Sequence, residues 1–232
     1  MKSLLLTEIM FTTVNGIDIY YEKSGEGKPL VLLHGNGEDH SRFDKIAAEL
    51  SGEYAVYVTD TRYHGQSTKT ETISYLEMME DTAAFINKLC LEKPVVLGAS
   101  DGGITGLLLA MKYPDLLSGL IACGANTHPS QIMKWYTFLM KISYLISRDK
   151  KIKMMLTEPD ITNEDLASVK IPVLILAGSF DILPTPATLE IAAAIPNSEV
   201  KILKGQTHSS YLKNYKILIT VIQPFLNRIL DI

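Results

Sequence analysis

A serine set among small residues, Gly98-Ala99-Ser100-Asp101-Gly102, carries the first chemical signal in this sequence. The apolar run Pro94-Val95-Val96-Leu97 precedes it, and the helix-like run Ile104 to Met111 follows. Strand, tight turn and helix with serine at the turn is the setting in which G-x-S-x-G presents a nucleophile. So sharp a turn needs neighbours without bulk, and Gly98, Ala99, Gly102 and Gly103 meet that need. The N–H groups that open the helix point at the same place and can hold a developing negative charge. An ordinary glycine-rich turn has the same five letters, so the reading depends on what the rest of the chain offers.

A serine hydroxyl needs a base, and the base needs an orienting group. Among the histidines, His208 stands in Gly205-Gln206-Thr207-His208-Ser209-Ser210, between the last strand-like and the last helix-like run. Asp181 stands just past the apolar run Val173 to Ala177. Both loops fall at C-terminal strand ends, the edge that carries the serine turn. The order Ser100, Asp181, His208 is the one expected for this elbow class. An oxyanion hole needs two N–H donors, expected from the backbone of Asp101 and of Asn36 in His34-Gly35-Asn36-Gly37. His34 is read as a structural turn residue, His128 as a capping or solvated residue and His40 as a surface residue. Cys123 is read as a small buried wall residue. No metal-ligand spacing and no G-x-x-x-x-G-K phosphate loop occurs, so no cofactor is expected.

The elements that must position these residues alternate along the chain. Asn15-Gly16 between Phe11–Val14 and Ile17–Glu22 is a strong hairpin signal. Pro29–Leu33 is an apolar run suited to a strand buried on both faces. A helix at Phe43–Leu50, a strand at Tyr54–Val58 and a helix at Tyr75–Leu91 follow, the last with Ser74 and Glu77 at capping-box spacing. Further strands are expected at Leu117–Cys123, Ile171–Ala177 and Val200–Leu203, and a closing helix from Tyr211 to Leu230, bent at Pro224. The pattern predicts a mostly parallel eight-stranded sheet flanked by helices. No strand is expected between Gly124 and Lys170. The core is therefore read as 1–124 and 167–232, with 125–166 a small helical cap after the sixth strand. Trp135, Phe138 and Tyr144 on that cap are expected to line the substrate site, where open α/β sheets place their ligands.

The chain has 232 residues, net charge −4 and two cysteines, Cys90 and Cys123. These values fit one globular domain in a reducing, cytoplasmic setting, without a nucleic-acid footprint. The apolar run after Lys2 is interrupted by Glu8 too soon for an export signal, and Met10 is an alternative start. Nothing is long enough to span a bilayer, so no membrane partner is expected. The expected partner is a small acyl substrate, and the oligomeric state is left open.

With these motifs in view the chain resembles the α/β-hydrolase fold family, and within it the small bacterial esterase-like serine hydrolases. His34-Gly35 resembles the family's oxyanion loop. Asp60-Thr61-Arg62-Tyr63-His64-Gly65-Gln66-Ser67 resembles its D-x-R-G-H-G-x-S loop, with Tyr63 where glycine is usual. Pro172 to Gly178 with Asp181 resembles its acid strand, and Gly205, Thr207 and His208 its G-x-x-H loop. The resemblance implies that Asp60, Arg62 and His64 brace the site without doing chemistry. It also sets aside the dehalogenase and epoxide-hydrolase branches, which use an aspartate as nucleophile. The expected reaction is cleavage of a small or medium carboxylic ester through an acyl-enzyme. Thioesterase, acyltransferase and carbon–carbon hydrolase chemistry run on the same apparatus. A hydrolase-like receptor with little turnover is the competitor from another class.

Overall fold

The computed structural model describes residues 7–230. The apolar run of the first six residues lies outside them. The chain opens with a hairpin, β1 (Glu8–Val14) and β2 (Ile17–Ser24), whose register pairs Val14 with Ile17. That leaves Asn15 and Gly16 as a two-residue loop with φ of 49° and 77°, the geometry that matches strand twist. Next come β3 (Lys28–Leu33), α1 (Asp44–Leu50), β4 (Tyr54–Thr59) and α2 (Tyr75–Lys88). Ser74 caps α2, its hydroxyl accepting the Glu77 N–H at 3.1 Å. β5 (Val95–Ala99), α3 (Asp101–Lys112) and β6 (Gly119–Cys123) follow. An insertion then carries a short 3-10 turn at Pro129–Gln131, α4 (Lys134–Ser147), α5 (Lys150–Thr157) and α6 (Asn163–Ala167). The chain closes with β7 (Val173–Phe180), α7 (Thr185–Ala194), β8 (Ser198–Thr207), α8 (Ser210–Lys213) and α9 (Tyr215–Leu230).

The strands form one eight-stranded sheet in the order β1-β2-β4-β3-β5-β6-β7-β8, parallel from β4 onward. Alternation along β3 divides the core. Val31 and Leu33 face the cluster built with α2, α3 and α7, while Leu30 and Leu32 face the one built with α1 and α9. A strand buried on both faces has no polar side to offer, which is why Pro29–Leu33 of β3 and the whole of β5 read as unbroken apolar runs. Parallel strands bring their C-terminal ends to one edge. The loops after β3, β5, β6, β7 and β8 therefore converge, and they carry Asn36, Ser100, Gly124, Asp181 and His208.

Two sequence expectations differ from the structure. The closing helix breaks at Asn214, whose ψ of 73° leaves the helical region, and Pro224 sits within α9 without ending it. The helix Thr185–Ala194 was not anticipated. Among the described residues no helix is long and apolar enough to cross a membrane.

Candidate active site

The turn from β5 into α3 works because the two backbones nearly touch. A Cβ at Gly98 would run into the main chain of Gly102 and Gly103, so only hydrogen fits there. Ser100, between strand and helix, is held at φ 51° and ψ −112°. A non-glycine residue on that side of the map costs roughly 1–3 kcal/mol and persists only where surroundings over-determine it. Here its N–H donates to the Cys123 carbonyl at 2.7 Å and its carbonyl accepts from Ile104 N–H at 3.0 Å. The strained turn lifts the hydroxyl off the sheet edge toward the neighbouring loops.

Those loops supply the partners. His208 Nε2 lies 3.2 Å from Ser100 Oγ, and His208 Nδ1 lies 2.6 Å from Asp181 Oδ1. Asp181 is buried, and its carboxylate also accepts the N–H groups of Leu183 at 3.2 Å and Gly178 at 3.3 Å. These bonds fix the carboxylate against the imidazole. With Nδ1–H committed to Asp181, Nε2 is left to accept the serine proton. Gly124 follows β6 at φ 63°, and a Cβ there would stand 2.8 Å from His208 Cε1. The imidazole thus occupies room that only glycine leaves.

The loop after β3 closes the opposite side. The Gly35 N–H donates to Glu38 Oε2 at 3.1 Å and is therefore engaged. The Asn36 side chain donates to Asp101 Oδ2 at 2.9 Å and to the Lys151 carbonyl at 3.3 Å. Asp101 Oδ1 accepts from Tyr75 Oη at 2.9 Å. The two residues expected to supply oxyanion donors are thus tied to each other, and through Asn36 to α5. Asp101 opens α3, where the first N–H groups have no intrahelical acceptor. Burial pushes its carboxyl up to about 6, against the pull of its hydrogen bonds from Asn36 and Tyr75. Ser100 and His208 open onto a cleft of about 230 Å³ lined by Gly35, Asn36, Tyr136, Met155, Ile182 and Leu212.

The sequence profile described as alpha/beta hydrolase fold matches residues 28–150. The chain belongs to the α/β hydrolase fold family. The hydrolase is 22% identical to a pimeloyl-[acyl-carrier protein] methyl ester esterase of Aliivibrio salmonicida, over 90% of this chain and 95% of that one. It is 34% identical to an sn-1-specific diacylglycerol lipase of Xenopus tropicalis over 104 residues, which is 44% of this chain and 33% of the lipase. Among solved structures, an E-2-(acetamidomethylene)succinate hydrolase superposes with a TM-score of 0.83 at 18% identity, covering 96% of this chain and 100% of that one.

Around the site of the hydrolase, the loop Asp60–Ser67 is a bracing frame. Asp60 is fully buried and accepts the N–H groups of His40 at 2.6 Å and Gln66 at 2.7 Å. His40 Nδ1 lies 2.9 Å from the same carboxylate, so this histidine, at the start of the short helical turn His40–Phe43, is a half-buried partner of Asp60 where a surface residue was expected. Arg62 grips Asp81 through Nε at 2.5 Å and Nη2 at 2.9 Å, and Glu77 through Nη1 at 2.6 Å. His34 donates from Nδ1 to its neighbour's carbonyl and accepts the Thr61 N–H at Nε2, so it is neutral and burial lowers its pKa. Burial and the adjacent His34 push His64 down to about 4. Tyr63 holds φ 66°, so the loop keeps a left-handed turn with a ring in place of glycine. That ring lies under Lys150 Nζ and Lys151 Nζ, at 5.6 Å and 5.7 Å from its centroid.

His128 caps the 3-10 turn, its Nδ1 accepting the Ser130 N–H at 3.1 Å. Cys123 is buried, and burial raises its thiol pKa, which leaves it inert.

The three cap aromatics expected at the substrate do not line the cleft. Trp135 and Phe138 are 57% and 62% exposed, and Tyr144 lies under the Arg148 guanidinium. At 100° per residue the inward face of α4 passes through Tyr136 and Met140. Tyr136 is the aromatic that lines the cleft, together with Met155 from α5. Nearly every face of this helix is apolar in sequence, so its phase was hidden.

Proposed function

We propose that this chain is a serine esterase that cleaves small or medium carboxylic esters through an acyl-enzyme. The observation that carries the reading is the unbroken line from Ser100 Oγ to His208 at 3.2 Å and from His208 to buried Asp181 at 2.6 Å. In this reading Ser100 Oγ attacks the ester carbonyl while its proton passes to His208 Nε2. Asp181 stays ionised and stabilises the imidazolium. The backbone N–H groups of Asn36 and Asp101 hold the oxyanion of the tetrahedral intermediate. Collapse breaks the bond to the alkoxide, which leaves with the proton from His208. Water then adds to the acyl-enzyme with His208 as base, releasing the acid and restoring Ser100.

A cleft of about 230 Å³ with Tyr136, Met155, Ile182 and Leu212 in its walls favours short acyl groups. The ester chemistry in the names of the relatives from Aliivibrio and Xenopus agrees with this bond class. Cys90 and Cys123 are free thiols, which supports a reducing, cytoplasmic setting. The test is stopped-flow hydrolysis of p-nitrophenyl esters of graded chain length. The expected result is a burst stoichiometric with enzyme, then steady turnover that is fastest with short acyl chains. A single stoichiometric event without turnover indicates a receptor in place of an enzyme.

A further inference from the structure

The insertion presents a surface that the catalytic reading does not use. On α4, Trp135, Phe138, Leu139, Ile142, Leu145 and Ile146 recur at steps of three and four residues, so they form one stripe. All six are exposed, Leu145 at 63% and Ile146 at 81%. The opposite face, with buried Met140 and half-buried Tyr136, seats the helix on the protein. Both faces of α4 are therefore apolar, and among the described residues nothing covers the outer one. Isolated exposed apolar side chains are ordinary on soluble proteins, but a contiguous stripe of large ones marks a surface that something else covers.

Charge selects the occupant. Lys134, Lys141 and Arg148 are spaced by seven residues and run along one edge of the stripe. α4 holds no acidic residue, and the segment 134–153 has six basic residues against Asp149 alone, in a chain whose net charge is −4. Asp149 is occupied in capping α5, where it accepts the Lys151 N–H at 2.8 Å. Pairing two copies through this face would press two cationic segments together. An anionic surface with an apolar layer beneath it satisfies the stripe and the basic row at once.

We propose that the outer face of α4 docks on an anionic lipid bilayer, with the stripe at the acyl boundary and Lys134, Lys141 and Arg148 among the lipid phosphates. This is a peripheral association and needs no spanning segment, so it departs from the sequence expectation of no membrane partner. Tyr136 lines the catalytic cleft and Trp135 belongs to the stripe, so the docked face and the cleft share one helical turn.

Trp135 is the only tryptophan in the chain, so tryptophan emission reports this face alone. The test titrates the full chain with mixed phosphatidylglycerol–phosphatidylcholine vesicles and with phosphatidylcholine vesicles. The anionic vesicles are expected to shift the emission to the blue and to co-sediment the protein, and raised salt to reverse both. The neutral vesicles are expected to bind weakly. The Leu145→Asp, Ile146→Asp double variant should melt like the wild type and lose vesicle binding. Lys141→Gln and Arg148→Gln should each weaken binding about fivefold. Unchanged emission with anionic vesicles overturns the proposal, as does binding that survives the double variant. A blue shift without lipid that rises with protein concentration, matched by a dimer in sedimentation, assigns the face to a second copy and also overturns it.

Discussion

The β5–α3 turn and the α4 helix sit at the same edge of one sheet, and they are built on opposite terms. At the turn nearly every position is fixed twice. Gly98 admits no side chain, Ser100 is held by hydrogen bonds on both sides of its peptide unit, and Asp101 is pinned between Asn36 and Tyr75. On α4, one face packs and the other, equally apolar, meets solvent. The contrast separates two uses of apolar and small residues. At the turn they enforce one geometry for a polar group. On α4 they offer a surface that leaves its partner to be chosen by charge.

The sharpest way to break this comparison is at the turn itself. Ser100→Ala is expected to lower kcat on p-nitrophenyl esters by about 10⁶, with Asp181→Asn lowering it by about 10⁴, while both variants melt near the wild type. Ester turnover by Ser100→Ala at the wild-type rate would place the chemistry elsewhere.

A smaller effect tests how rigidly the turn is held. Burial raises the Asp101 carboxyl to about 6 from its ordinary 3.8, so the folded chain binds that proton more tightly than the unfolded one. Stability attributable to this group is therefore present below the lower value and falls as pH rises through the higher one. Asp101→Asn cannot ionise. Its advantage over wild type in denaturant melts should be absent near pH 4 and full above pH ~7, at most about 3 kcal/mol for a shift of about two pKa units. A difference that stays flat across that range would mean that the carboxylate is compensated when ionised.

The smallest effect sharpens the boundary on α4. Tyr136→Ala should change the ratio of kcat/KM values between short and long acyl esters by ~10–200-fold, the worth of methylene-scale changes in an apolar pocket. Phe138→Ala should leave that ratio unchanged for water-soluble esters. If both variants behave alike, the inner and outer faces of α4 are not functionally distinct.

Much of the edge was legible because turns leave punctuation in sequence. Asn15-Gly16 named its hairpin, Ser74 with Glu77 its helix start, the loops bearing Ser100 and Asp181 each followed an apolar run of strand length, and His208 followed the alternating strand that holds Val200, Ile202 and Leu203. Other features left no such mark. Thr185–Ala194 opens on Thr185-Pro186 and continues without a polar face that would announce a helix. The last helix breaks at Asn214, because Asn tolerates the dihedrals that end a turn, while Pro224 is accommodated inside α9. Tyr63 occupies a left-handed position where its residue type gives no hint of it, and the ring's place under two lysines of α5 is a tertiary matter. The orientation of α4 was hidden for a related reason, since periodicity cannot choose between two apolar faces.

The dihedrals of Ser100 bear on how such a chain drifts. Glycine would occupy φ 51° without the crowding that a Cβ brings, so the position has a downhill step in stability one substitution away. A lineage released from the need for turnover meets no folding obstacle to taking that step. A hydroxyl at a site where the backbone would be more at ease without one is a cost in stability, and the proposed attack of Ser100 on an ester carbonyl is a use that would balance it.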